Sequence, residues 1–149
     1  MNRANPLMFR VALLLLLSLF LFLGCAKADE SPVGFEIVPG TVTSTGLAYR
    51  ITRRTEYCEF GYDYTLETLE NGEWIPVPYA GTADIFAFNA VGLVISEPDK
   101  TKEMTENWSL LYGELAPGHY RMVKGFSYGQ TYASCEKTTL YAEFDIPSP

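Results

Sequence analysis

Few side chains in this sequence have the types and spacing that chemistry would need. The run Gly125-Phe126-Ser127-Tyr128-Gly129 has the G-x-S-x-G spacing of a nucleophile elbow. Such an elbow requires a strand, a sharp turn and then a helix, with its histidine later in the chain. Here the next residues, Gln130 to Lys137, have no helical character, and the sole histidine, His119, precedes the serine. The run therefore reads as a glycine-bounded loop. His119 stands alone beside Tyr120, as a surface or packing residue at a strand start. A metal site wants several ligands in ordered spacing, and no Cys/His cluster exists in the sequence. Asp84, Glu97 and Asp99 could offer oxygens to calcium, but the spacing of a calcium-binding loop is missing, so solvated loop acids are expected. Asn107-Trp108-Ser109 fits a glycosylation acceptor, with Trp108 expected in the core instead. No cofactor site is legible, and no enzyme is expected.

The three cysteines carry more information. Met1 to Arg10 holds Arg3 and Arg10 and no acid, and Val11 to Leu23 is apolar apart from Ser18. A basic start and a short apolar run before a small residue read as an export signal. The run falls short of the ~20 residues of a membrane-spanning helix. Phe22-Leu23-Gly24-Cys25 resembles the lipobox of bacterial lipoproteins, with phenylalanine where leucine is usual. That resemblance implies cleavage before Cys25 and lipid on its thiol. Because each buried CH₂ contributes about 0.8 kcal/mol, one acyl chain is a marginal anchor and two or more are needed. The alternative is an ordinary secretory signal with an incidental cysteine. Residues 1–24 are thus expected to be a signal peptide, residues 25–32 (CAKADESP) a tether, and residues 33–149 the folded domain on the extracytoplasmic side. The chain beyond the signal has 18 acidic residues against nine of the 11 Lys and Arg, a net charge of −9. That balance argues against nucleic acid, which selects a basic face.

With Cys25 lipidated, Cys58 and Cys135 remain as an even pair in an exported chain. They are expected to form a disulfide, with two free buried thiols as the alternative. The bridge would close a loop of 135 − 58 = 77 residues, for which chain entropy gives about 4–5 kcal/mol.

From Val33 onward helical periodicity is scarce and turn residues recur at short intervals, the pattern of an all-β sandwich or barrel. Leu47, Tyr49 and Ile51 alternate with Ala48, Arg50 and Thr52. Tyr62, Tyr64 and Leu66 alternate with Asp63, Thr65 and Glu67. Trp108, Leu110 and Tyr112 share one face of a further strand, as do Leu140, Ala142, Phe144 and Ile146. Period two is expected where one sheet face is buried. Asn71-Gly72 supplies the φ > 0 pair of a tight hairpin, and Pro76 and Pro78 place the return strand at an edge. Ile85 to Ile95 is ambiguous between strand and tucked loop, and Pro98 to Glu106 reads as loop.

Two blocks then carry a family resemblance: Phe60-Gly61-Tyr62 to Glu67 with Asn71-Gly72-Glu73-Trp74-Ile75-Pro76-Val77-Pro78, and Trp108 to Arg121 ending at Lys124. They resemble the bacterial Ig-like domain of Gram-positive envelope lipoproteins, with its "NGxW…P" and "W…YGxLxPGxYRxxK" signatures. The resemblance covers Thr41 to Ile146. It implies an immunoglobulin-like antiparallel β-sandwich of about seven strands and no single shared activity. In such sandwiches a tyrosine pins a corner through its hydroxyl, a role that falls to Tyr120, with Pro117 presetting φ and Gly118 taking the conformation other residues avoid. Cys58 and Cys135 would then lie in two loops at one end of the sandwich and staple them together. Tyr57, Phe60, Tyr128 and Tyr132 lie in those loops among serine and glycine, a paratope-like mixture. They are expected either to anchor a protein or cell-wall partner or to cap the core. The function class is a non-catalytic envelope interaction module. An inhibitor or regulator of an envelope protease or sensor is the alternative.

Overall fold

A computed structural model of the chain describes residues 31–80, 91–95 and 100–148. Cys25 and the segment through Glu30 lie outside these residues, as do Asp84, Glu97 and Asp99. The strands are β1 (Val33–Ile37), β2 (Gly46–Arg53), β3 (Tyr57–Phe60), β4 (Thr65–Glu70), β5 (Glu73–Pro76), β6 (Leu93–Val94), β7 (Thr101–Asn107), β8 (Gly118–Gly129) and β9 (Cys135–Ile146). All pairings are antiparallel. One sheet has the order β1-β2-β7. In the other, β8 is the spine: β9 pairs along its whole length on one side, while β3 and β4 share the other side.

The alternation read in the sequence decides which residues fill the core. Leu47, Tyr49 and Ile51 of β2 are buried, facing Tyr120, Met122, Lys124 and Phe126 of β8 and Ala142, Phe144 and Ile146 of β9. Phe35 joins the layers, edge-on to Tyr49 and tilted against Phe126, both at 5.5 Å between ring centroids. The expected hairpin is present, with Asn71 at φ 53° and Gly72 at φ 86°, and β5 with its proline forms a sheet edge. The tyrosine corner is present as well: Tyr120 Oη donates to Ala116 O at 2.9 Å.

Three local expectations change, and one open segment is partly described. The polar stretch expected as loop contains β7, whose residues alternate between exposed and half-buried as an edge strand should. Trp108 to Tyr112 is a turn rather than a strand: Tyr112 N donates to Trp108 O at 2.8 Å and Gly113 N to Ser109 O at 3.1 Å. That geometry puts Trp108 and Tyr112 inside and leaves Leu110 78% exposed. Asn107 Oδ1 closes the turn by accepting from Ser109 N and Oγ, which outcompetes the strand ladder. The positive φ of this corner belongs to Gly113 at 73°, not to Gly118; a Cβ on Gly118 would instead press on the Tyr120 ring at 3.2 Å. Within the ambiguous apolar segment, Leu93–Val94 forms β6 and Ile95 is buried.

One feature of the spine needs a buried charge. β8 pairs with β4 at Tyr120–Val123 and with β3 at Phe126–Gly129, so between them neither strand reaches it. The chain swings away there at Gly61–Tyr64. Lys124, 2% exposed, fills the break: its Nζ donates to Gly61 O at 2.7 Å and Asp63 O at 2.9 Å. Its ammonium lies 5.7 Å from the Tyr49 ring centroid and 5.6 Å from that of Phe60. Burial lowers the Lys124 pKa, opposed by the charges of Asp63 and Glu106. Glu106 is itself pushed up by burial, against a hydrogen bond donated by Tyr49 Oη.

Candidate functional site

The disulfide expected between Cys58 and Cys135 is not formed; both are free thiols. Neither lies in a loop. Cys58 is inside β3 and Cys135 opens β9, and β8 runs between them. Two strand spacings separate their backbones, about 10 Å, beyond the ~7 Å limit for a bridge. The register also opposes them. Cys58 aligns with Tyr128 and Glu136, whereas Cys135 aligns with Gly129 and Tyr57. A one-residue offset sends the two side chains to opposite sheet faces. Cys58 is fully buried, and that burial pushes its thiol up to about 11.

The same alternation divides the four aromatic residues expected to act together. Phe60 is 2% exposed, packed on Phe126 at 6.0 Å, and is a core residue rather than a contact residue. Tyr128 is half-buried on the inward side, and its hydroxyl donates to Glu136 Oε2 at 3.0 Å. Tyr57 and Tyr132 do meet, edge-on at 6.1 Å, outside the sheet. Tyr132 sits in a short 3-10 turn linking β8 to β9 and is 73% exposed. The Tyr57 hydroxyl donates to Glu59, the next outward residue of β3. Burial and this bond raise the Tyr57 pKa.

Beside this pair lies a groove of about 880 Å³ on the outer face of the larger sheet. Its floor is the run that resembled a nucleophile elbow. Gly125 and Ser127 are consecutive outward positions of a continuous strand, with no sharp turn at the serine. A Cβ on Gly125 would meet nothing within 4 Å, so the groove is open at that point. Side chains at Gly61 and Gly92 would collide with the carboxylates of Asp63 and Glu59, which occupy that space on the wall. Lys137 and Thr139 of β9 form the other wall. The three glycines and the charged walls were missed in the sequence. Their only signal was the alternate spacing of Gly125 and Ser127, which means floor positions once a strand is assigned.

At the other end of β8, His119 is not isolated. Its Nδ1 lies 2.7 Å from Asp145 Oδ1 and its Nε2 3.1 Å from Glu143 Oε2, and Trp74 covers the ring at 5.5 Å. The hydrogen bond to Asp145, then that to Glu143, raises the His119 pKa. Next to it Arg121 lies between the rings of Trp74 and Tyr141, 4.4 and 4.3 Å from their centroids, and pairs with Glu67. Among the described residues no group of three or more His, Cys, Asp or Glu side chains could hold a metal ion.

A family model described as "Bacterial Ig-like domain" matches residues 34–145. No curated protein and no solved structure matches the chain.

Proposed function

The chain belongs to the bacterial Ig-like domain family, and from that premise we propose that it is a non-catalytic interaction module held outside a bacterial membrane by lipid on Cys25. The signal-like run of residues 1–24 and the tether of residues 25–32 support the anchor. The surface offered to a protein or cell-wall partner is the end of the larger sheet at Tyr57 and Tyr132, with the groove beside them. The observation that carries this is Tyr132, a large ring left 73% exposed on a short turn and seated against Tyr57. A rigid amphipathic ring of this kind gives contact area at low entropic cost. Two measurements test the reading. Intact mass of the mature chain is expected to show cleavage before Cys25 and added acyl chains; an unmodified Cys25 would remove the anchor. Alanine at both Tyr57 and Tyr132 is expected to leave the fold intact and abolish capture of a partner from envelope extract. Undiminished capture would place the contact surface elsewhere.

A further inference from the structure

The groove beside Tyr132 has a charge order set by strand register. Glu59 of β3, Ser127 of β8 and Lys137 of β9 lie in one row across three strands, all facing outward. The outer two backbones are about 10 Å apart. The carboxylate side is doubled by Asp63 and fixed, because the Tyr57 hydroxyl holds Glu59. The ammonium side is available, because Lys137 makes no ion pair among the described residues. Between them the floor is a serine hydroxyl and the open space over Gly125, bordered by Thr139. A volume of about 880 Å³ falls in the range of small-ligand sites, roughly 300–1,000 Å³.

We propose that this groove binds the two charged ends of an amino acid or short unblocked peptide. The ligand's ammonium group faces Glu59 and Asp63, its carboxylate faces Lys137, and its body lies over Gly125 and Ser127. Opposite charges at the two walls favour a dipolar molecule in one orientation and disfavour the reverse one. A purely cationic ligand would meet Lys137, and a purely anionic one would meet two carboxylates. The inference rests on the reading of this end as the contact surface and adds the chemistry of what is held there.

The test uses the full mature chain, from Cys25 onward, in detergent micelles, labelled with ¹⁵N-glycine so that 11 residues report (the 12 glycines of the sequence less Gly24). The probes are trialanine, N-acetyl-trialanine, trialanine amide and, as a neutral control, maltotriose. Trialanine is expected to shift the Gly125, Gly61 and Gly92 amides with saturation. Each blocked peptide should bind about tenfold more weakly or worse, as expected for loss of a charged hydrogen bond. Lys137→Met should erase the difference between trialanine and its amide while keeping the discrimination against the acetylated form. Gly125→Leu, which has room for its Cβ, should abolish the shifts. Equal binding of free and blocked peptides, a response to maltotriose instead of trialanine, or no response to any probe would overturn the proposal. If no probe responds while envelope capture still depends on Tyr132, the zwitterion site falls and the interaction module stands.

Discussion

Replacing Lys124 with methionine removes one buried amine and leaves a side chain of similar length. Two contributions of opposite sign follow. The Gly61 and Asp63 carbonyls lose charge-assisted donors at 2.7 and 2.9 Å, each worth about 1.5–3 kcal/mol. Glu106, already raised by burial, also loses the nearby positive charge that lowers its pKa. Against this, methionine avoids burying an ammonium, an effective cost of several kcal/mol. The carbonyls lie at the partly exposed swing between β3 and β4, where water can replace part of the loss. The loss of the donors dominates, because these two bonds tie the swing at Gly61 and Asp63 to β8, and the net destabilisation is expected at about 2–3 kcal/mol. For a domain of this size that is roughly a 10 °C fall in Tm. Urea unfolding followed by the fluorescence of buried Trp108 measures it. The pH dependence gives an independent sign. A lysine whose folded pKa lies below its unfolded value binds fewer protons when folded, so stability rises with pH through that window, below the usual value near 10.5. The stability difference between the native chain and Lys124→Met should therefore grow as pH rises towards 10.5. A methionine variant as stable as the native chain, or more so, would mean that the buried amine is a net cost and does not hold the break in the spine.

Three further outcomes are expected. Tyr120→Phe removes the corner hydrogen bond to Ala116 O and should cost about 1 kcal/mol in the same unfolding assay; no change would leave the corner pinned by packing alone. Reductant should not move the unfolding midpoint, and a thiol reagent should modify half-buried Cys135 well before fully buried Cys58; a drop of about 4–5 kcal/mol on reduction would restore the bridge. His119 has a folded pKa raised by Asp145 and Glu143, so its contribution to stability is full below the unfolded value of 6.5 and fades as pH rises through the folded pKa. Imidazole resonances followed against pH should titrate above 6.5, and His119→Gln should flatten that limb of the stability profile. A titration at or below 6.5 would deny the two-carboxylate clamp.

Much of the sandwich was legible because alternation is a direct record of burial on a pleated surface. Leu47-Tyr49-Ile51 and Ala142-Phe144-Ile146 were assigned to the core by that rule alone and lie there. The Asn71-Gly72 hairpin and the Tyr120 corner were legible because each depends on residues adjacent in sequence. One failure arose because period two looks the same in a strand and in a turn that spaces its apolar residues four apart. Trp108, Leu110 and Tyr112 satisfied the strand pattern while the backbone bonds made a turn that exposes Leu110. Edge strand β7 failed the other way, its polar Thr101–Asn107 residues masking a ladder with β2. The site depended on register, which no local pattern fixes. Two cysteines can be judged a bridgeable pair only once the strands between them are counted. Lys137 gains its meaning from Glu59, 78 positions away, through a row that exists only when β3, β8 and β9 are aligned.

The contact surface itself is tested most directly by photo-crosslinking in living cells. A photoreactive residue at Tyr132 is compared with one at Leu110, equally exposed, at 73% and 78%, but in the turn that leads into the opposite end of β8. Tyr132 should yield a discrete crosslinked species at the cell envelope, and Leu110 should not. Crosslinking at Leu110 alone, or the same products from both positions, would contradict an interaction module that works through the Tyr57–Tyr132 end.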